Sequence, residues 1–272
     1  MASAVMHAIW NAVIKVRLDR FASLSLTSFG MAVSAALVVP FVPVPDARVW
    51  PWIAASLVIH VGYRLFLARA YEAGDLAQTY PLARGTAPLI TAFAGMALMS
   101  EHPGQAALAG IALLSLGTFL MSLFGGGDLG RLNPRAVAYA LGTSLFIAAY
   151  SLVDGNGVRL AASAASYAAW HFLFDGIVSM TIGLGVRGRR LLTMLAAEWP
   201  TALLTGALSA GAYFIAMWAM TKTHIATVAA LRETSILFAM LISVLFLGEP
   251  VRGWRIASAV LILAGVVVLR LA

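Results

Sequence analysis

The sequence has no cysteine and few charged residues, which make up 11% of its 272 positions. Without cysteine, disulfides, thiolate catalysis and cysteine-ligated metal sites are excluded. A soluble domain carries about 25% charged residues, so this chain has less than half of the usual proportion. Apolar residues are abundant instead, at 61% of the chain with a mean hydropathy of +0.91. This composition predicts a membrane protein.

Sequence motifs of several enzyme classes are also missing. The chain contains no HExxH, no GxSxG and no P-loop, so ATP-driven pumping has no support either. A membrane-embedded enzyme would need a concentrated catalytic set, whereas the five histidines are dispersed along the chain. We therefore predict no enzyme activity, no catalytic residue, no metal and no cofactor. A membrane-embedded acyl- or glycosyltransferase stays the least favoured alternative.

The net charge of +7 does not indicate a nucleic-acid partner. Basic residues flank membrane helices because they orient insertion and contact anionic headgroups. We therefore expect the lipid bilayer and a small-molecule substrate as partners, and no nucleic acid. Sixteen of the eighteen basic residues are arginine and alanine is abundant, which is typical of a GC-rich bacterial genome. The expected location is the bacterial inner membrane, with a monomer and a homodimer both open.

Successive apolar runs of about 20 residues are each long enough to cross a hydrocarbon core of about 30 Å. Such runs must be helices, because backbone groups in lipid are satisfied only within the segment. The fold class is therefore an all-α polytopic membrane protein. DGNG at 154–157 is expected to end one helix, and Glu101 is expected in a surface loop. The predicted helices are 1–16, 23–42, 50–72, 76–100, 104–124, 134–154, 163–186, 199–221, 225–247 and 253–271.

An internal repeat divides the chain into two halves. Residues 80–121 align with residues 228–269 at an offset of 148, and polar residues and glycines coincide along the alignment. The predicted domains are a five-helix repeat at 1–124, a connecting loop at 125–134 and a second five-helix repeat at 135–272. Five helices per half invert the second half in the membrane, as in secondary transporters that bind substrate near the midplane. The coinciding pairs are Arg84 with Arg232, Thr86 with Thr234, Glu101 with Glu249, and Gly117 with Gly265.

Five segments resemble the drug/metabolite transporter superfamily, specifically its EamA-type members. They are HAIWNAVIK at 7–15, AYEAGDLAQTYPLARGTAPL at 70–89, AAYSLVDGNGVR at 148–159, ATVAALRETSILFAMLISVLFLGE at 226–249 and GWRIASAVLILAGVVVL at 253–269. The resemblance implies ten helices around a central cavity, alternating access, and mostly export of small metabolites or drugs. It also leaves open a flippase for a lipid-linked sugar. It implies cytoplasmic termini, whereas the distribution of basic residues predicts the opposite orientation.

Arg84 is the first candidate site residue. It lies nine residues after Asp75, about 13 Å along a helix and well inside the hydrocarbon. A charge there costs at least about 2.5–3.5 kcal/mol unless it meets a wet cavity or a partner. Arginine suits a carboxylate, phosphate or phosphonate group, which predicts an anionic or zwitterionic substrate. The alternative is a structural arginine that snorkels to the membrane interface or pairs with Glu233 or Asp154.

Arg232 is the repeat counterpart of Arg84, with Glu233 beside it as a local partner. Tyr80 and Thr91 share a helix face with Arg84, at i−4 and i+7. The other candidate substrate-binding residues each have packing or helix–helix hydrogen bonding as an alternative role. They are Trp10, Asn11, His60, Tyr63, Tyr150 and Tyr213.

His171 and Asp175 are candidates for proton coupling. They are one helical turn apart, and Asp175 falls near the middle of its predicted span. Burial favours the protonated form of a carboxyl group, which suits a proton relay. A neutral aspartic acid hydrogen-bonded across a helix interface is the alternative.

Overall fold

The computed structural model describes residues 2–6, 20–74, 76–125, 133–247 and 252–272. The described part of the chain is helical and contains no strand. The helices are α1 (residues 2–6), α2 (Arg20–Val38), α3 (Trp50–Ala73), α4 (Leu76–Leu98), α5 (Gln105–Gly125), α6 (Pro134–Leu160), α7 (Ala164–Arg187), α8 (Arg189–Met220), α9 (Ile225–Arg232), α10 (Ser235–Leu247) and α11 (Gly253–Leu271), with a 3₁₀ turn at Val39–Phe41.

Six described helices are long and apolar enough to cross a membrane. This confirms the predicted polytopic all-α class. Those spans are Phe21–Phe41, Trp50–Ala73, Pro134–Leu160, Ala164–Arg187, Arg189–Met220 and Gly253–Leu271. Most of the first predicted span, from residue 7 onward, lies outside the described residues.

Three helix boundaries differ from the sequence prediction. DGNG does not end α6, which continues to Leu160. Helix α8 begins at Arg189, before the predicted start at residue 199. It bends at Glu198, where the backbone leaves helical geometry two residues before Pro200. The predicted helix 225–247 is divided into α9 and α10 by a turn at Glu233 and Thr234.

The chain forms two compact units, and each contains segments from both halves of the sequence. One unit comprises Gly62–Leu152 and Thr223–Ala272, and we call it the arginine unit. The other comprises Ala2–Val61 and Val153–Lys222, and we call it the histidine unit. The predicted division of the chain into two repeats at 125–134 stays a prediction, because the two compact units are not the two sequence halves.

Helix α5 is central to the arginine unit, where it packs against α4, α9 and α11. A side chain at Gly110 would meet the carbonyl of Gly265, and one at Gly117 would meet the backbone of α11. Helices in lipid associate through such close van der Waals contact, which small residues permit. Gly110, Gly117 and Gly265 thus mark the close packing of α5 against α11. Beside these glycines, Ile111, Leu114 and Ile262 are fully buried.

Helix α2 has the corresponding position in the histidine unit, where it packs against α7 and α8. Gly30 of α2 and Gly206 of α8 meet backbone to backbone, and Gly176 of α7 lies against Ser28 and Ala32 of α2. These contacts hold the α2, α7 and α8 backbones together without intervening side chains.

Candidate functional site

Arg84 lies inside the arginine unit with only 6% of its surface exposed, and it forms a two-pronged ion pair with Glu233. Its Nε donates to Glu233 Oε2 at 2.8 Å, and its Nη2 donates to Oε1 at 2.9 Å. Glu233 is 3% exposed. This parallel geometry is the strongest form of arginine–carboxylate recognition. Of the two interpretations of Arg84, a pair with Glu233 is therefore present, and a carboxylate already occupies the fork.

The local backbone explains how Glu233 reaches Arg84. Glu233 follows α9 in a tightened turn, in which its N–H donates to the Ala230 carbonyl at 3.0 Å and its own carbonyl accepts from the Ile236 N–H at 3.0 Å. On the other side, α4 continues through Pro81 and Pro88. A proline in a helix removes one backbone hydrogen bond, so this segment is less regular than an uninterrupted helix.

Gly85 brings this part of α4 close to α5. A side-chain carbon at this position would lie 3.1–3.2 Å from the nearest atoms of Thr118 and Phe119. The absence of a side chain thus sets the depth at which Arg84 sits in the unit.

Tyr80 contacts the ion pair, and Tyr63 and Tyr150 lie in its vicinity. Arg84 Nη1 donates to the Tyr80 hydroxyl at 3.4 Å, longer than an ordinary hydrogen bond, and the guanidinium lies 5.5 Å from the centre of the Tyr80 ring. Tyr63 and Tyr150 contact each other edge to face, with their ring centres 5.7 Å apart. We call this set the arginine site; its members are Tyr63, Tyr80, Arg84, Tyr150 and Glu233.

The remaining substrate-binding candidates from the first and second repeats are either differently engaged or outside the described residues. Thr91 is fully buried, and its hydroxyl donates to the Ala87 carbonyl of its own helix at 2.8 Å. Arg232 is half-buried at the end of α9. Glu233 follows Arg232 directly in the chain, but its carboxylate forms the ion pair with Arg84. Trp10 and Asn11 lie outside the described residues.

His60 and Tyr213 belong to a second polar constellation, in the histidine unit, which also contains His171. Asp154 is fully buried and accepts hydrogen bonds from the hydroxyls of Tyr167, at 2.8 Å, and Tyr213. His171 Nε2 is 3.9 Å from Asp154 Oδ1. The Ser56 hydroxyl lies 3.1 Å from His60 Nδ1 and 3.0 Å from His171 Nε2. We call this set the histidine cluster; its members are Ser56, His60, Asp154, Tyr167, His171 and Tyr213.

The helix geometry of α6 makes the histidine cluster possible. Because α6 continues past Asp154, Gly157 lies one turn later, and the Tyr167 ring occupies the space that a side chain at Gly157 would need. Asp175, the other predicted coupling residue, is 2% exposed on α7, one turn after His171. The sequence did not indicate that Asp154 would contact Tyr167, Tyr213 and His171.

Glu101 lies in the loop between α4 and α5, as the sequence predicts, but the prediction that it is at the surface is wrong, since it is 6% exposed. Its Oε2 accepts a hydrogen bond from the Ile225 N–H at 2.9 Å and lies 3.5 Å from His224 Nδ1. A carboxylate at a helix start pairs with N–H groups that lack a partner within the helix. Glu101 therefore caps α9 and fixes the helix that presents Glu233. Glu249, its repeat counterpart, lies outside the described residues.

The apolar spans and the buried ionic groups together define a multi-pass integral membrane protein. The chain belongs to the EamA-like transporter family, whose pattern matches residues 1–123 and 134–271. The resemblance to EamA-type transporters that the sequence indicated is thereby confirmed. The protein is a membrane transporter of the drug/metabolite type. Members of this family are transporters and not enzymes.

One solved crystal structure resembles the chain with a TM-score of 0.74 at 18% sequence identity, covering 99% of this chain and 94% of the other. This similarity shows a shared fold. No protein with a curated description matches the sequence.

Proposed function

We propose that the protein is a secondary transporter that moves a small zwitterionic metabolite by alternating access, with the arginine site as its binding site. The single observation that supports this proposal is the buried Arg84–Glu233 fork beside three tyrosines. The candidate substrates are amino acid-like molecules and compounds that combine an amine with a phosphate or phosphonate. Export, a bacterial inner membrane and the oligomeric state stay predictions from the sequence.

Charge balance favours a zwitterion over a simple anion. Arg84 and Glu233 neutralise each other, so an anion that displaces Glu233 from Arg84 leaves a buried carboxylate alone. Breaking a buried ion pair in this way costs about 3–5 kcal/mol. A zwitterion avoids this cost, because its anionic group binds Arg84 while its ammonium binds Glu233. All four charges then remain paired.

The tyrosines complement this exchange of partners. Their hydroxyls are hydrogen-bond donors for carboxylate or phosphonate oxygens, and their rings provide apolar walls with a polar end. The long 3.4 Å contact between Arg84 Nη1 and the Tyr80 hydroxyl is the weakest hydrogen bond of the set. An anionic group that replaces this contact loses little existing hydrogen bonding.

Transport of matched compounds tests the proposal. Purified protein in liposomes is screened with L-valine, its carboxamide and its N-acetyl derivative, and with 2-aminoethylphosphonate beside ethylphosphonate. We expect at least one zwitterion to be transported, and its single-charge derivatives to be transported about 100-fold less, since each leaves one buried charge unpaired. Protein-free liposomes provide the background. Equal transport of an N-acetyl derivative and its parent, or no transport of any zwitterion, would contradict the proposal.

Proton coupling through Asp175, with His171 nearby, stays a proposal of the same kind. Asp175 is buried within α7, where loss or gain of a proton changes a charge in a low-dielectric environment. We expect Asp175→Asn to uncouple transport from an imposed pH gradient. The measurement is uptake by liposomes with and without the gradient. An Asp175→Asn protein that still responds to the gradient like the unmodified chain would rule out this role.

A further inference from the structure

The histidine cluster places three metal-ligating side chains together from three helices. One ring nitrogen each of His60 on α3 and His171 on α7 and one carboxylate oxygen of Asp154 on α6 lie within 4.8 Å of one another. Zinc binds nitrogen and oxygen ligands at about 2.0–2.2 Å, which places the ligand atoms of a tetrahedral site roughly 3.4 Å apart. Side-chain shifts of less than about 1 Å therefore suffice to close the ligands around an ion.

Neighbouring groups orient two of these three ligands. The Tyr167 and Tyr213 hydroxyls donate to the two oxygens of Asp154. His60 Nδ1 is 2.9 Å from the Ser56 carbonyl, and donation of its proton there places the lone pair of the neutral ring on Nε2. Ligating histidines commonly hold their second nitrogen on a backbone carbonyl in this way, and ligating carboxylates are themselves hydrogen-bonded.

The buried carboxylate of Asp154 favours a cation in the histidine cluster. Asp154 is fully buried, and among the described residues His171 is the one basic side chain within 4.0 Å of its carboxylate. The tyrosine hydroxyls stabilise the carboxylate but do not neutralise it. His171 is 1% exposed, and its Nδ1 has no hydrogen-bond partner among the described residues. A buried anion beside an imidazole with an unused nitrogen is a suitable environment for a bound cation.

We propose that His60, Asp154 and His171 bind one divalent first-row transition-metal ion of the zinc type. Two imidazole nitrogens and one carboxylate oxygen suit zinc, cobalt or nickel, whereas magnesium and calcium prefer oxygen ligands alone. A bound ion satisfies the charge of Asp154 and joins α3, α6 and α7 within the histidine unit. This site shares no residue with the arginine site and does not depend on the proposed substrate.

The probe for this site is Co²⁺, because its visible absorption reports coordination by nitrogen and oxygen ligands. The full chain is purified with a histidine-free tag, stripped with a chelator and dialysed against Co²⁺, and bound metal is counted by mass spectrometry. We expect about one Co²⁺ per chain, displaced by Zn²⁺ and not by Mg²⁺. Loss of an orienting neighbour alone weakens metal binding about 10–100-fold, so His171→Ala and Asp154→Asn should weaken it by at least about 100-fold.

His102→Ala is the matched control, since it removes an exposed histidine and should retain the wild-type absorption. His60→Ala is the second test variant, because His60 is only half-buried and its loss leaves the packing less disturbed than the loss of His171. Each variant is compared as monodisperse protein, and the rise in thermal stability on adding Zn²⁺ is measured beside the absorption. The proposal is overturned if the wild-type protein binds no Co²⁺, which is the result expected of a site that binds only protons. Undiminished binding by folded His60→Ala protein also overturns it.

Discussion

Replacing Arg84 with alanine is expected to reduce transport per folded molecule by at least about 100-fold. The substitution removes the group that binds the anionic end of the substrate and leaves Glu233 buried without its fork. Loss of one member of a buried ion pair also costs about 3–5 kcal/mol of stability. Transport is therefore measured in liposomes and normalised to monodisperse protein recovered by size-exclusion chromatography.

A double variant separates binding from architecture. Arg84→Ala with Glu233→Ala removes both charges, so the burial cost disappears and the folding yield should recover relative to Arg84→Ala alone. If Arg84 binds substrate, the double variant folds and still does not transport. If the ion pair only supports the fold, the double variant regains transport together with its yield, and that result would contradict the account.

Two further variants calibrate this comparison. Arg84→Lys keeps the charge but loses the planar fork, so transport should be weakened rather than lost. Arg232→Ala serves as the control, since Arg232 is half-buried and Glu233 forms its fork with Arg84. Its effect is expected to be smaller than that of Arg84→Lys.

Placing alanine at Gly206 is expected to destabilise the histidine unit by at least about 3 kcal/mol, the upper part of the range for overpacked cores. The added carbon would overlap the backbone of Gly30 and Met31 on α2. No side-chain rotation relieves a clash between backbones, so α2 and α8 would have to separate. The measurement is the thermal unfolding midpoint in detergent together with the yield of monodisperse protein.

Gly185→Ala is the control for Gly206→Ala. Gly185 lies in α7 with open space around the position of an added side chain. Alanine there should leave stability unchanged or raise it slightly, because glycine is a poorer helix former than alanine. Equal unfolding midpoints for the two variants would show that the α2–α8 contact contributes little.

The helices and the buried arginine are predictable from local information. Span length and hydropathy depend on neighbouring residues, and nine residues of helix suffice to place Arg84 deep in its span. The partner of Arg84 was one of two candidates, since Glu233 and Asp154 both carry a carboxylate within an apolar run. The choice between them depends on which helices pack together across 149 positions, and hydropathy contains no such information.

The histidine cluster was beyond prediction for a related reason. His60, Asp154 and His171 are distant in sequence, and DGNG was expected to end the helix that instead extends to Leu160. Glycine normally weakens a helix, but at Gly157 the tertiary contact with Tyr167 replaces the missing side chain. An unpaired carboxylate in an apolar helix was the one available signal that Asp154 has buried partners.

The most direct test of the arginine site is an experimental structure of the protein with a transported zwitterion bound. The anionic group of the substrate is expected to lie within hydrogen-bonding distance of the Arg84 guanidinium, with its ammonium facing the Glu233 carboxylate. Tyr63, Tyr80 and Tyr150 should contact the same molecule. A bound substrate elsewhere, with the Arg84–Glu233 fork intact in every state of the transporter, would contradict the account.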